Sequence, residues 1–361
     1  LKIILQQGNN KKLTFTIIEN CFVSIILNKI RHYKYKKIIL VLNNLLLLYH
    51  YKFLDPIKKK FYARGKLLLT GEYAVLHGAK AVALPLKVGQ RMTVTNARGS
   101  DLIWEALDDN GDIWYESQMS LYDFSDIKTS DEQISKKLAK ILKAAVRENS
   151  EFLSTWSGFK VETQLEFPLN WGLGSSSTLI ANVAEWAEVN AFHLYFAVAN
   201  GSGYDIACAN ADEPIHYQLG DESLHFNEIE FKPSFLNKLF FVYQGAKQDS
   251  ESSVNTHGKK FKGKKDVINR ISAISDEIIQ TKNLQTFNNL LEEHETIIAG
   301  VIGEKPVKER LFPDFEGTIK SLGAWGGDFI LATTEKGEDY VKSYFASKKL
   351  DIVKPYQSIV L

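Results

Sequence analysis

The segment Pro168-Leu169-Asn170-Trp171-Gly172-Leu173-Gly174-Ser175-Ser176-Ser177-Thr178 constrains this chain more than any other. Ahead of it, Phe159, Val161, Leu165 and Phe167 alternate with Lys160, Glu162, Gln164 and Glu166, the period of two of a half-buried strand. Behind it, a helix is predicted to start in the serines and run through Trp186. Two glycines between a strand and a helix let the backbone turn and approach a bound group closely. The serine hydroxyls and the unpaired N–H groups of the helix start suit an anion. The segment predicts a phosphate cradle. Its bland alternative is a glycine-rich turn capped by serine.

Charge is distributed unevenly. Residues 1–60 carry twelve Lys/Arg and two Asp/Glu, whereas the other 301 carry 32 basic and 41 acidic groups. An acidic body leaves no nucleic-acid footprint. Leu, Ile, Lys and Asn make up 38 of the first sixty residues, the first alanine is Ala63 and the first methionine Met92. That composition predicts a mis-set start or a disordered extension over 1–60. Its longest apolar stretch, residues 38–49, is too short for a membrane span, which needs about 20 residues. Two cysteines, Cys21 and Cys208, build no disulfide framework and point to a reducing cytoplasm.

From Phe61 the pattern becomes regular. Lys66-Leu67-Leu68-Leu69-Thr70 reads as a buried strand running into Gly71. Ser130-Asp131-Glu132-Gln133 reads as a capping box opening a helix with Ile134, Leu138, Ile141, Leu142 and Ala145 on one face. Residues 238–243, 328–332 and 350–353 read as strands. Leu284, Phe287, Leu291, His294, Ile297 and Ile298 form a helical stripe. Helices and strands mix without regular alternation, which predicts an α+β fold. Pro233 is the expected hinge between an amino-terminal half (61–232) and a carboxy-terminal half (234–361).

Three further segments can carry chemistry. Gly201-Ser202-Gly203-Tyr204-Asp205 places a carboxylate in a glycine-rich turn. Arg64-Gly65-Lys66 and Gly71-Glu72-Tyr73 put a cation and a carboxylate at opposite ends of one strand. Gly323-Ala324-Trp325-Gly326-Gly327-Asp328 is a third glycine loop ahead of a strand, suited to close packing against a ligand. Gly258-Lys-Lys-Phe-Lys-Gly-Lys-Lys265 imitates a Walker loop, but Lys265 stands where a magnesium-binding hydroxyl belongs and no apolar strand precedes it, so it reads as a solvated basic loop. Cys208 reads as buried filler, and His77 and His294 as structural.

In this order the loops resemble the GHMP kinases, the family of galactokinase, homoserine kinase, mevalonate kinase and phosphomevalonate kinase. Arg64 to Gly78 looks like its first motif, Pro168 to Ser177 its ATP loop, and Leu322 to Asp328 its third motif. The Gly-Tyr-Asp-Ile-Ala string resembles a bacterial subgroup. The resemblance implies a two-domain α+β fold binding ATP, magnesium and a small-molecule acceptor between its halves, without nucleic acid or membrane, and a homodimer as the assembly to look for. It implies Asp205 as base or orienting carboxylate with Lys66 paired to it, and Gly172, Leu173, Gly174, Ser175, Ser176 and Ser177 around the ATP phosphates. Ser176 becomes the hydroxyl near magnesium, Glu72 and Tyr73 lie by the acceptor, and Gly323, Gly326 and Gly327 form the third loop. The sequence departs from the family at Arg64, usually proline, at Trp325, and at Leu194, where mevalonate kinases carry a magnesium glutamate; Glu185 or Glu188 are the substitutes nearby. Mevalonate is the first acceptor suggested, then phosphomevalonate, then a sugar; a non-catalytic regulator on the same fold is the reading outside enzymes.

Overall fold

The structure, a computed structural model, describes Ile3–Gln7, Leu13–Ile17 and Lys58–Leu361 apart from residues 155–156, 221–222, 246–249 and 326–327; for the first two segments and for residues 250–252 it describes backbone only. The chain divides into two units, Leu1–Ile57 and Lys58–Leu361. In the first, β1 (Ile3–Gln7) and β2 (Leu13–Ile17) pair antiparallel, Leu5 opposite Phe15. The rest of that unit, Cys21 included, lies outside the described residues.

The second unit begins at Lys58, three residues before the expected boundary, because Lys58, Lys59 and Lys60 already pair with Thr95, Val94 and Thr93. Its strands are β3 (Lys58–Leu68), β4 (Lys80–Ala97), β5 (Asp101–Leu107), β6 (Ile113–Ser120), β7 (Asp126–Thr129), β8 (Gly158–Leu165), β9 (Ile215–Leu219), β10 (Leu224–Glu228), β11 (Leu239–Tyr243), β12 (Thr318–Ser321), β13 (Phe329–Thr333) and β14 (Val353–Pro355). The helices that matter below are α1 (Glu132–Glu148), α2 (Ser175–Ala187), α3 (Ala191–Val198), α4 (Tyr204–Ala209), α5 (Ser250–His257), α6 (Lys265–Gln280) and α7 (Leu284–Ile302).

Eight strands form one sheet in the order β10-β9-β4-β8-β5-β6-β7, with β3 also paired to β4. Only the β5–β8 pairing in it is parallel. Four more, β12-β13-β11-β14, form a second, antiparallel sheet. Pro233 lies in the connection between the two sheets. The fold is α+β, as the missing alternation predicts. Leu84, Phe167 and Leu173 share one apolar cluster with Phe241, Phe287 and Leu331, so residues on both sides of Pro233 seal the same core. None of the helices among the described residues is long and apolar enough to cross a membrane.

Local expectations hold with small shifts. The cap of α1 is Asp131, whose carboxylate accepts the N–H groups of Gln133 and Ile134 at 2.8 and 3.0 Å, while the Ser130 hydroxyl accepts the N–H of Glu116. Leu138, Ile141, Leu142 and Ala145 face inward as the stripe predicts. The last strand starts at Val353, because pairing begins where Val353 meets Val242. The Walker-like run is a 3-10 turn, Gly258–Phe261, followed by α6. The Gly258 carbonyl lies 2.8 Å from His77 Nε2, and Lys260 Nζ donates to the Ile302 carbonyl at 2.5 Å.

Candidate active site

The glycine-serine segment forms a sharp turn into α2. Gly172 and Gly174 adopt φ of 70° and 98°, the left-handed region that side chains disfavour. Gly174 is the cap of α2 and no side chain caps this helix start, which leaves its first N–H groups turned outward. Leu173, fully buried between the two glycines, anchors the turn in the core. Ser176 is exposed, Ser175 half-buried and Ser177 buried. Thr178 Oγ1 donates to Gln90 Oε1 and to the Ser175 carbonyl, which ties the first turn to β4.

A β-bulge between Arg64 and Lys66 brings β3 to this turn, and the Lys66 N–H donates to the Leu173 carbonyl at 3.0 Å. The Lys66 stem runs over Gly174, where a Cβ would sit 3.2 Å from Lys66 Cγ. Its ammonium lies 3.4 Å from the Gly172 carbonyl, 3.5 Å from Asp205 Oδ1 and 5.4 Å from the Tyr204 ring centroid. Asp205 occupies the first turn of α4, behind Gly203. Its Oδ1 is closed to solvent and accepts no hydrogen bond. The Tyr217 hydroxyl donates to the Ser202 carbonyl and pins that turn. Burial first, and the Asp205 charge second, push the hydroxyls of Tyr204, Tyr195 and Tyr217 well above the ordinary tyrosine value, so all three stay protonated around the carboxylate. Cys208, on the same short helix, is a fully buried thiol raised by burial, the filler the sequence suggests.

Glu72 has a different setting. Its carboxylate is 1% exposed, receives a hydrogen bond from the buried Lys320 ammonium, and lies 3.4 Å from His294 Nε2. The Gly71 N–H donates to that same Nε2 at 3.0 Å, which requires a neutral imidazole protonated at Nδ1. Burial and the nearby Lys320 hold His294 well below its ordinary value. Burial pushes Glu72 up to about 7 against the pull of Lys320. Neighbouring Glu295, also raised by burial, accepts the N–H groups of Val307 and Ser321 and the Ser321 hydroxyl. Tyr73, at φ 57°, is buried with its ring 6.2 Å from that of Phe261 and 5.5 Å from that of His257. The resemblance puts Glu72 beside the acceptor; here its carboxylate is sealed against Lys320, and Tyr73 lies between it and the aromatic cluster. Lys320 and Glu295 escape the sequence reading because a lysine in a four-residue strand and a glutamate on a helix look like surface residues.

In the third loop, Gly323 has φ 62° and Trp325 φ 48°, while Gly326 and Gly327 lie outside the described residues. Asp328 closes the loop at 9% exposure, and its carboxylate fills the space beside Gly172, where a Cβ would come within 2.5–2.9 Å of it. Segments far apart in sequence thus converge on Gly172 and Gly174. Arg64, at the proline position, donates to Asp212 at 2.7 Å on the surface. Leu194 is fully buried in the apolar core under α1, and Glu185 and Glu188 are exposed near the far end of α2. No cluster of three or more His, Cys, Asp or Glu suited to a metal occurs among the described residues. A groove of about 340 Å³ beside α1, lined by Lys136, Lys140, Lys143 and Arg147, contains none of the candidate residues.

No family sequence model matches the chain, and no curated protein sequence matches it. Solved structures do. Mevalonate kinase from Methanococcus jannaschii superposes with a TM-score of 0.59 at 18% identity, over 83% of this chain and 97% of that one. Phosphomevalonate kinase from Streptococcus pneumoniae, in complex with phosphomevalonate and AMPPNP, gives 0.60 at 17% identity over 82% and 99%. Lactococcus lactis galactokinase complexed with galactose gives 0.57 at 14% identity over 84% and 92%. The matches run nearly the full length of enzymes with three different acceptors, and what they share with this chain is its architecture: it has the GHMP kinase fold.

Proposed function

We propose that this chain is an ATP-dependent kinase that transfers the γ-phosphoryl group to a small alcohol or phosphate acceptor, with mevalonate the first acceptor to test and phosphomevalonate the second. The observation that carries the reading is the Lys66–Asp205 pair, 3.5 Å apart beside the glycine turn that opens α2. Phosphoryl transfer asks a protein for positioning and charge neutralisation more than for covalent chemistry.

Residues 172–177 hold the phosphates through the outward N–H groups and the serine hydroxyls. Asp205 takes the proton of the acceptor hydroxyl as that oxygen bonds to the γ-phosphorus. The bond from this phosphorus to the β–γ bridging oxygen breaks, and ADP leaves with the electron pair. Lys66 orients Asp205 and neutralises charge on the group in transit. Tyr73, nearly buried at φ 57°, borders the acceptor side of the site. Magnesium, when bound with the nucleotide, supplies further neutralisation at the phosphates. The exposed Ser176 hydroxyl is an oxygen donor of the kind that would suit such a hard cation.

A sugar acceptor is the second reading, supported by the galactokinase neighbour. A non-catalytic regulator would be expected to lack the Lys66–Asp205 pair. The test is ADP release measured with mevalonate, phosphomevalonate, homoserine and galactose in turn. Acceptor-dependent turnover with mevalonate or phosphomevalonate supports the proposal, turnover with galactose alone moves it to the sugar branch, and ADP release with none of them removes the reading as proposed.

A further inference from the structure

A carboxylate that takes a proton in the transition state has to stand in one place, and the chain just before Asp205 cannot hold itself there. Gly201 and Gly203 flank Ser202, and α4, which follows, has six residues and no side-chain cap at its start. The order of this turn comes from residues that pack on it.

Tyr217 is the firmest of these. It sits in the middle of β9, opposite Ala81 of β4 and Phe226 of β10, so pairing on both sides fixes its backbone. Its side chain is fully buried, with the ring stacked 6.5 Å from that of Phe226. From this anchor its hydroxyl donates to the carbonyl of Ser202, a residue 4% exposed. The same hydroxyl oxygen would stand 3.3 Å from a Cβ at Gly203, with Phe196 3.1 Å away on another side. At Gly201 the Tyr195 hydroxyl fills the space that a Cβ would need. Tyr195 therefore packs beside the turn, while Tyr217 bonds its backbone. A buried carbonyl deprived of its donor moves to find another partner or water. Ser202 is three residues from Asp205, whose Oδ1 stands 3.5 Å from the Lys66 ammonium, so such a movement reaches the pair directly.

Resting on the kinase reading, we infer that Tyr217 is a positioning residue of the reaction: its hydroxyl, through the Ser202 carbonyl, sets where the Asp205 carboxylate stands beside Lys66. It acts through Asp205 and not on the reacting groups. The rigid eight-stranded sheet thereby fixes a turn that its own glycines would leave loose.

Steady-state kinetics of the full chain, with the acceptor that supports turnover, test the assignment as a two-residue cycle. Tyr217→Phe removes only the hydroxyl, and a carboxylate displaced by a fraction of an ångström to about 1 Å lowers kcat by about 10–10²-fold. The KM for ATP stays within about twofold of wild type, because residues 172–177 hold the phosphates. In the Asp205→Asn background the same Tyr217→Phe change lowers kcat no further, since two residues that act through one another are not additive. An equal fractional loss in both backgrounds gives Tyr217 a merely structural role and overturns the inference. So does a folded Tyr217→Phe with the wild-type kcat, and either result leaves the kinase reading standing. If Tyr217→Phe does not fold, Phe226→Leu takes its place in the cycle, removing the partly exposed ring that steadies Tyr217. No loss of kcat there, or an equal loss in both backgrounds, overturns the inference. Wild type that turns over none of the four acceptors removes both readings.

Discussion

Two lysine–carboxylate pairs in this protein invite comparison. Lys66 and Asp205 stand 3.5 Å apart, with side chains 13% and 17% exposed, beside a glycine turn. Lys320 and Glu72 are in direct contact and fully buried, with His294 and Glu295 packed around them. The first pair is loose and only partly buried, and the Asp205 Oδ1 that faces Lys66 is closed to solvent and accepts no hydrogen bond. The second is sealed, and its cost of desolvation is offset by the contact itself and by the Ser321 carbonyl, which accepts from Lys320 Nζ at 2.8 Å. The same two kinds of charge therefore sit in different settings: the partly exposed pair is the one proposed above for chemistry, and the fully buried pair belongs to the core beside Tyr73.

The largest effect that separates the pairs is on turnover. Asp205→Asn keeps the shape and removes the proton acceptor, and kcat falls by about 10²–10⁴-fold, or about 3–5 kcal/mol of barrier, with the melting temperature little changed. A kcat within about threefold of wild type, far short of that range, makes Asp205 a turn residue and erases the contrast. Next comes stability. Lys320→Met strands the Glu72 carboxylate in the core and costs about 3–5 kcal/mol in urea unfolding. Glu72→Gln combined with Lys320→Met recovers more than half of that loss, because the buried charges leave together. No recovery in the double variant would mean that the pair is not the unit described.

Gly174→Ala sharpens the comparison from the open side. The backbone at φ 98° and the Lys66 stem 3.2 Å from the new Cβ both resist it. A cost of about 1–2 kcal/mol of stability, accompanied by weaker ADP binding in the folded protein, is the expected outcome. Unchanged ADP affinity would detach Lys66 from the nucleotide side.

The smallest effect is pH-dependent and belongs to the sealed side. The folded value of His294 is depressed below 6.5, so the unfolded chain takes up a proton there that the native protein refuses. Its contribution is complete above 6.5 and is lost as pH falls toward the depressed folded value. Glu72 acts in the opposite sense, since its raised value adds stability on acidification from about 7 toward 4.5. His294→Gln keeps an acceptor for the Gly71 N–H and cannot titrate, so its unfolding free energy falls less than that of wild type between about pH 7 and about pH 5. Parallel curves over that interval would show that His294 protonates freely inside the fold.

The sequence by itself determined what short-range patterns encode. The alternation into Phe167, the glycine-serine turn, the α1 stripe and the placing of Asp205 in a glycine-rich turn all depend on neighbours within a few residues. Two misses were legible in the same way, since Leu102, Trp104 and Ala106 alternate through β5 and Ile271, Ile274 and Ile278 mark α6. Tertiary structure alone decided which charges are sealed and which are open. Lys320 reaches Glu72 across 248 residues, and Asp328 meets Gly172 from another sheet. No periodicity announces such contacts, because a lysine in a strand or an aspartate after a glycine loop reads the same whether it faces water or a partner. Burial, which sets the energy of each charge, exists only once distant segments close over it.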